Sequence, residues 1–198
     1  LTGNNPIGRA KGKWKILSST NSSSPIFSND TNYTTTISAL QEGVYSIGWE
    51  VSNGTCLPAI DSLSLTVFDN PISNAGKDTI LCSKDSLTLY ATQLSGSSTG
   101  VWKLDSTFST PPYPIILNPS QHNSIVTNLT IGANYRFIWT VSNGTCPQHS
   151  DSVLVSVLAQ PIVDAGRDSS YCGIYAVTLN ALPIPLPALG VWELDTIS

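Results

Sequence analysis

Four cysteines, at positions 56, 82, 146 and 172, are the residues of this chain best equipped for chemistry, and their spacings alternate as 26, 64 and 26. C-x2-C pairs are lacking and only two histidines occur, His122 and His149, so the sequence does not indicate a zinc site. Paired cysteines in a weakly charged chain point instead to disulfides and an oxidising, extracytoplasmic setting. Two connectivities suit the spacing. Cys82–Cys146 keeps a bridge inside one structural unit and leaves Cys56 and Cys172 to partners outside the chain. Cys56–Cys82 with Cys146–Cys172 ties successive units instead. Loop-closure entropy separates the two only slightly, at about 4.3 against 3.6 kcal/mol. The first makes each unit self-contained and is the pairing expected, although a simple sandwich puts its first and last hairpins at opposite ends, beyond the Cα reach of a disulfide, about 7 Å.

No other grouping suggests catalysis. Serines abound, but no G-x-S-x-G elbow, phosphate loop or H-E-x-x-H occurs. His122 and His149 sit in predicted turns and have no counterparts in neighbouring repeats, which reads as two exposed loop histidines. Asp78 and Asp168 recur after an Ala-Gly turn, with Asp85 nearby. A Ca2+ ion between repeats would need several such oxygens; capping of turns and strand starts accounts better for scattered carboxylates. No cofactor is expected.

The elements that hold these residues repeat. Tyr135-Arg136-Phe137-Ile138-Trp139-Thr140-Val141 alternates apolar and polar, the period of a half-buried strand. It runs into Ser-Asn-Gly-Thr-Cys, whose Asn-Gly is a strong turn signal, and Asp151 to Val157 alternates again. The same hairpin stands ninety residues earlier, from Tyr45 through Cys56 to Val67, with Val-Ser-Asn-Gly-Thr-Cys identical in both. Three repeats follow: residues 1–69 as the C-terminal part of one, 70–159 as a complete one, and 160–198 as the N-terminal part of another. The chain is accordingly read as an internal piece of a longer protein.

Short strands punctuated by Gly, Pro, Asn and Ser, with no sustained helical period, predict an all-β fold of tandem immunoglobulin-like β-sandwich domains in an extended array. A tryptophan recurs in a mid-domain strand (Trp14, Trp102, Trp192), and Trp49 and Trp139 sit in the hairpins; all five are expected in the core. Tyr45 and Tyr135 open the penultimate strand, the position of a tyrosine corner. Charged residues make up 11% of the 198, far below the usual quarter, and the net charge is −4, which argues against a phosphate-facing basic surface for nucleic acid. No apolar run reaches the roughly 18–20 residues that span a bilayer.

The run from Asn74 to Cys82, the strand Gly100-Val101-Trp102, and Trp139 to Cys146 before Asp151-Ser152-Val153 resemble the immunoglobulin-like or PKD-like repeats of large Bacteroidota cell-surface proteins. SprB-like gliding-motility adhesins are among these. The resemblance covers essentially the whole chain. It implies export by the type IX secretion system, contact with the secretion and gliding machinery, and attachment at the outer membrane. It also implies O-glycosylation at Asp-Ser/Thr-apolar tripeptides, here at Ser62, Thr79, Ser86, Ser106, Ser152 and Thr196. Turn chemistry alone would also place Asp-Ser/Thr at strand starts.

Three functions follow. Structural stalk repeats of a secreted adhesin, touching only neighbouring repeats of the same chain, need no pocket or motif. A module gripping surface glycans would need exposed aromatics, for which Tyr33 and Tyr113 are candidates. An accessory domain of a secreted hydrolase is the third. The first is the function expected, and none of the three makes this segment an enzyme.

Overall fold

The computed structural model describes residues 1–173, 175–184, 186 and 188–194. Its strands are Lys11–Ser19 (β1), Ile26–Phe27 (β2), Ile37–Ser38 (β3), Gly43–Ser52 (β4), Ala59–Val67 (β5), Thr79–Cys82 (β6), Leu87–Thr88 (β7), Thr99–Leu104 (β8), Ile115–Ile116 (β9), Ile125–Thr127 (β10), Asn134–Ser142 (β11) and His149–Leu158 (β12). No helix occurs among the described residues.

The central block, β6 to β12, is a sandwich of two sheets. One has the order β6-β12-β11-β8, the other β7-β10-β9. All pairings are antiparallel except β6 with β12, which is parallel. A short first strand running parallel to the last, with chain crossings between sheets at β6–β7, β7–β8, β8–β9 and β10–β11, is the immunoglobulin-like layout. Alternation sets the faces. Tyr135, Phe137, Trp139 and Val141 of β11 are buried, as are Val153, Val155 and Val157 of β12, and they meet Leu89 and Val126 from the other side.

At the centre of this core two tryptophans lie opposite each other. Trp102 of β8 is in register with Trp139 of β11, and their rings are 5.1 Å apart at 44°. Gly100 makes room for them: a Cβ there would stand 2.2 Å from the Trp139 ring. The N-terminal block repeats the device. Trp14 of β1 faces Trp49 of β4 at 4.8 Å, and a Cβ on Gly12 would lie 2.0 Å from the Trp49 ring. The Trp102 indole N–H donates to the His122 carbonyl at 3.3 Å, and that of Trp14 to the Asn32 carbonyl at 2.9 Å.

Tyrosine hydroxyls tie each central strand to the chain that leads into it. Tyr135 Oη accepts the Thr130 N–H at 3.1 Å. Tyr45 Oη accepts the Gln41 N–H and donates to the Gln41 carbonyl, both at 2.9 Å, and also meets Asn21 and Ser23. Both rings are fully buried.

The N-terminal block carries the order β1-β4-β5 with a separate β2-β3 pair. Its buried residues, Trp14, Tyr45, Ile47 and Trp49, form a core distinct from the central one. Here β5 is far more exposed than β12: Leu63 is 37% accessible where Val153 is 4%. In the central block Ala75 and Leu89 pack in one core with Val153, Val155 and Val157 of β12.

Residues 160–194 carry no strand among those described. Trp192, expected in a core, is 52% exposed. Trp102 is buried because β11 lies across it, and no described strand pairs with the segment that holds Trp192. The contrast is testable. Trp102→Ala is expected to lower unfolding free energy by about 3–5 kcal/mol, whereas Trp192→Ala should change it by less than about 0.5 kcal/mol. Chemical denaturation followed by far-ultraviolet circular dichroism measures both, and equal effects would contradict the core assignment.

Candidate functional site at the junction of the two blocks

The β11–β12 turn is where the two blocks meet. Asn143-Gly144-Thr145-Cys146 closes with a Cys146 N–H to Asn143 carbonyl bond of 3.0 Å. Gly144 has φ 53°, and a Cβ there would also stand 2.4 Å from the ring of Phe68. The turn thus lies against the residue that follows β5. Asn143 is 2% exposed. Its Nδ2 donates to the Asp69 carbonyl at 2.9 Å and to Glu42 Oε1 at 3.2 Å, and its Oδ1 accepts from Ser97 Oγ at 2.7 Å. The Ser97 hydroxyl also reaches Glu42 Oε1, at 3.2 Å. Cys146 Sγ lies 3.6 Å from the Phe68 carbonyl oxygen, a weak thiol bond.

The chain leaves this junction already clamped. Ser73 Oγ donates to the Trp139 carbonyl at 3.1 Å, and its N–H reaches His149 Nδ1 at 3.2 Å. The Ala75 N–H donates to Asp151 Oδ2 at 2.8 Å. Residues 68–72, the stretch of chain that links the blocks, are therefore held on both sides within a few positions. Asn143 is a buried side chain whose amide is satisfied by three partners from two blocks, which is a connector's chemistry.

This set was not legible as a site in the sequence. Asn143 reads there as a turn former, and Glu42, Phe68 and Ser97 carry no motif. The available signal was the identity of the two Val-Ser-Asn-Gly-Thr-Cys copies. Asn53, in the other copy, is exposed.

The expected Cys82–Cys146 bridge is not formed, and all four thiols are free. Cys82 pairs with Leu158 at one end of β12, while Cys146 precedes His149 at the other. A strand of ten residues spans about 30 Å, against the disulfide Cα limit of about 7 Å. Cys56 is exposed in the N-terminal block's own turn, and Cys172 is exposed in the strand-free segment.

Among the glycosylation candidates Ser62, Ser86, Ser106 and Ser152 are exposed, Thr79 is half-buried, and Thr196 lies outside the described residues. The neighbouring aspartates have structural partners. Asp78 accepts the Leu154 N–H at 2.9 Å, holding β6 to β12, and Asp61 accepts the Ser62 N–H at 2.9 Å. The Thr107 hydroxyl, with its N–H, that of Phe108 and the Arg136 guanidinium, holds the Asp105 carboxyl below its usual range despite partial desolvation. Asp85 meets Ser86 Oγ at 3.1 Å. No cluster of three metal-ligating side chains occurs among the described residues. His149 accepts from Ser73 rather than standing free in a loop. Tyr33 and Tyr113 are exposed at positions that are not equivalent in the two blocks.

No family model matches the chain, and no curated protein matches it. Among solved structures it is similar to the PKD domain of the KIAA 1837 protein, with 26% identity over 50% of this chain and 92% of that one, TM-score 0.38. It is also similar to the two immunoglobulin domains IG1 and IG2 of DIP-gamma, 15% identical over 76% and 84%, TM-score 0.41. A third is human CDH23 EC21-23, 14% identical over 86% and 72%, TM-score 0.42.

Replacing Asn143 by alanine strands the Asp69 carbonyl and a Glu42 oxygen at the junction, which costs about 1–3 kcal/mol. Asn143→Ala should therefore speed proteolytic cleavage within residues 68–72, whereas Asn53→Ala, at an exposed copy of the same turn, should not. Equal cleavage rates would remove Asn143 from the connection.

Proposed function

We propose that this chain is a non-catalytic spacer segment, built from tandem immunoglobulin-like repeats, of a secreted protein displayed at a cell surface for adhesion. The observation that carries the reading is Asn143, a buried amide that joins one repeat to the next through Glu42, Ser97 and Asp69. A spacer must transmit orientation from repeat to repeat, and a short linker held by directional bonds does that. A ligand-binding module would instead gather its polar and aromatic groups on a free surface.

The surface chemistry agrees with an extracellular setting. Hydroxyl and amide side chains replace charge, and charged residues are 11% of the sequence. The finer assignment, to a SprB-like gliding adhesin exported by the type IX system and anchored at the outer membrane, is supported by the motif resemblance alone. O-glycosylation belongs to the same assignment and is supported further by the exposure of Ser62, Ser86, Ser106 and Ser152 on strands or loops.

The test is an exchange in the full-length surface protein. Residues 70–159 are replaced by an unrelated immunoglobulin-like domain of the same span, and cell attachment is measured beside a deletion of the same residues. A spacer predicts attachment close to wild type after exchange and reduced reach after deletion. Attachment lost equally in both variants, with the protein still displayed, would make the repeat a binding module. Digestion of the same wild-type protein reads hexose-type mass on the Ser86 and Ser152 peptides; unmodified peptides would remove the glycosylation.

A further inference from the structure

The free thiols acquire partners when the two junction-facing carbonyls are compared. Leu158 stands opposite Cys82 in the parallel β6–β12 register, and its carbonyl accepts the N–H of Ser83, the next residue, at 2.9 Å. Phe68 occupies the same place one repeat earlier, ninety residues before. Its carbonyl is met by Cys146 Sγ, at 3.6 Å. One carbonyl position thus has, in one repeat, the backbone beside Cys82 and, in the other, the thiol of the turn that docks from the next repeat.

The faces agree as well. Leu81 and Val157 turn toward the core, so their neighbours Cys82 and Leu158 turn outward, and both are exposed. The docking turn lies over that same outward side chain, since Gly144 sits against the Phe68 ring. Cys82 and a turn cysteine arriving as Cys146 arrives at Phe68 would then share one carbonyl and one face. A cysteine side chain reaches about 2.8 Å from Cα to sulfur, and disulfides join Cα atoms roughly 4.4–6.8 Å apart.

We infer that Cys82 forms a disulfide with the turn cysteine of the repeat that follows it, the equivalent of Cys146, and that Cys146 takes the equivalent of Cys82 from the repeat before. The inference rests on the spacer reading, in which repeats succeed one another. Each bridge is made by thiol–disulfide exchange with an oxidised dithiol oxidoreductase. The two Sγ–H groups lose two protons and two electrons, the S–S bond forms between them, and the carrier's disulfide is reduced to two thiols. Of the pairings weighed from the sequence, Cys56–Cys82 also ties successive units, but in the opposite sense, from a turn cysteine to the repeat that follows it. The bridge joins residues of different repeats on either side of a junction, so it locks a joint rather than a domain.

Non-reducing digestion of the full-length protein taken from its native surface tests it. The expected product is the Cys82 peptide linked to a peptide carrying the Asn-Gly-Thr-Cys turn of the next repeat, split by reductant. A second measurement follows the joint: Cys82→Ser in the full-length protein should leave that one turn cysteine newly reactive to maleimide. Cys82 found as a free thiol, capped by a small thiol, or linked to Cys56, Cys146 or Cys172 would overturn the inference. Any of those results would leave the spacer reading standing, because domain exchange tests that separately.

Discussion

The structure depends on a tryptophan pair seated over a glycine. Trp102 and Trp139 occupy facing positions of adjacent strands, which would crowd two indoles unless one strand gave up a side chain. Gly100 supplies that space, and Gly12 supplies it for Trp14 and Trp49. A sheet built this way has one tolerated register, because a slip of one residue would turn β11's apolar face to solvent and set a Cβ where the indole lies. The fixed register then fixes the hairpin, and the hairpin carries the Asn-Gly-Thr-Cys turn to the end of the block. The junction is thus a consequence of core packing as much as of its own hydrogen bonds.

What the sequence made legible were features with a period. Alternation gave β4, β5, β11 and β12, the Gly-x-Trp spacing gave β1 and β8, and the tyrosines near the starts of β4 and β11 marked the corner. Features that depend on a particular neighbour were hidden. Trp192 has nearly the same local sequence as Trp102, with Glu193 for Lys103, yet is half exposed, because burial needs a strand such as β11 and local sequence does not supply it. The separation of Cys82 and Cys146 at opposite ends of β12 was legible from sandwich topology, although their spacing alone favoured a bridge within one repeat. Asn143 reads as a turn residue and becomes a connector only when Asp69, Glu42 and Ser97 surround it.

The two blocks also show how one sequence pattern yields unequal burial. β5 and β12 share their alternation, but Leu63 is exposed where Val153 is buried, because Ala75 and Leu89 cover only the second. The indoles differ as well. Trp49 Nε1 donates to Asn4 Oδ1 at 3.0 Å, while Trp139 Nε1 has no partner among the described residues; Leu94 stands at the place equivalent to Asn4 and packs against the core instead. The two blocks therefore share their packing at the centre and differ at their margins, and the junction draws on both.

A buried Asn143 bonded to both blocks holds them in one orientation. Residual dipolar couplings of backbone amides in β4–β5 and in β11–β12, measured on one sample in one alignment medium, test it most directly. A rigid joint predicts that a single alignment tensor fits both sets of couplings. Two tensors of clearly different magnitude would mean that the blocks move independently, and the account of Asn143 as a connector would fail.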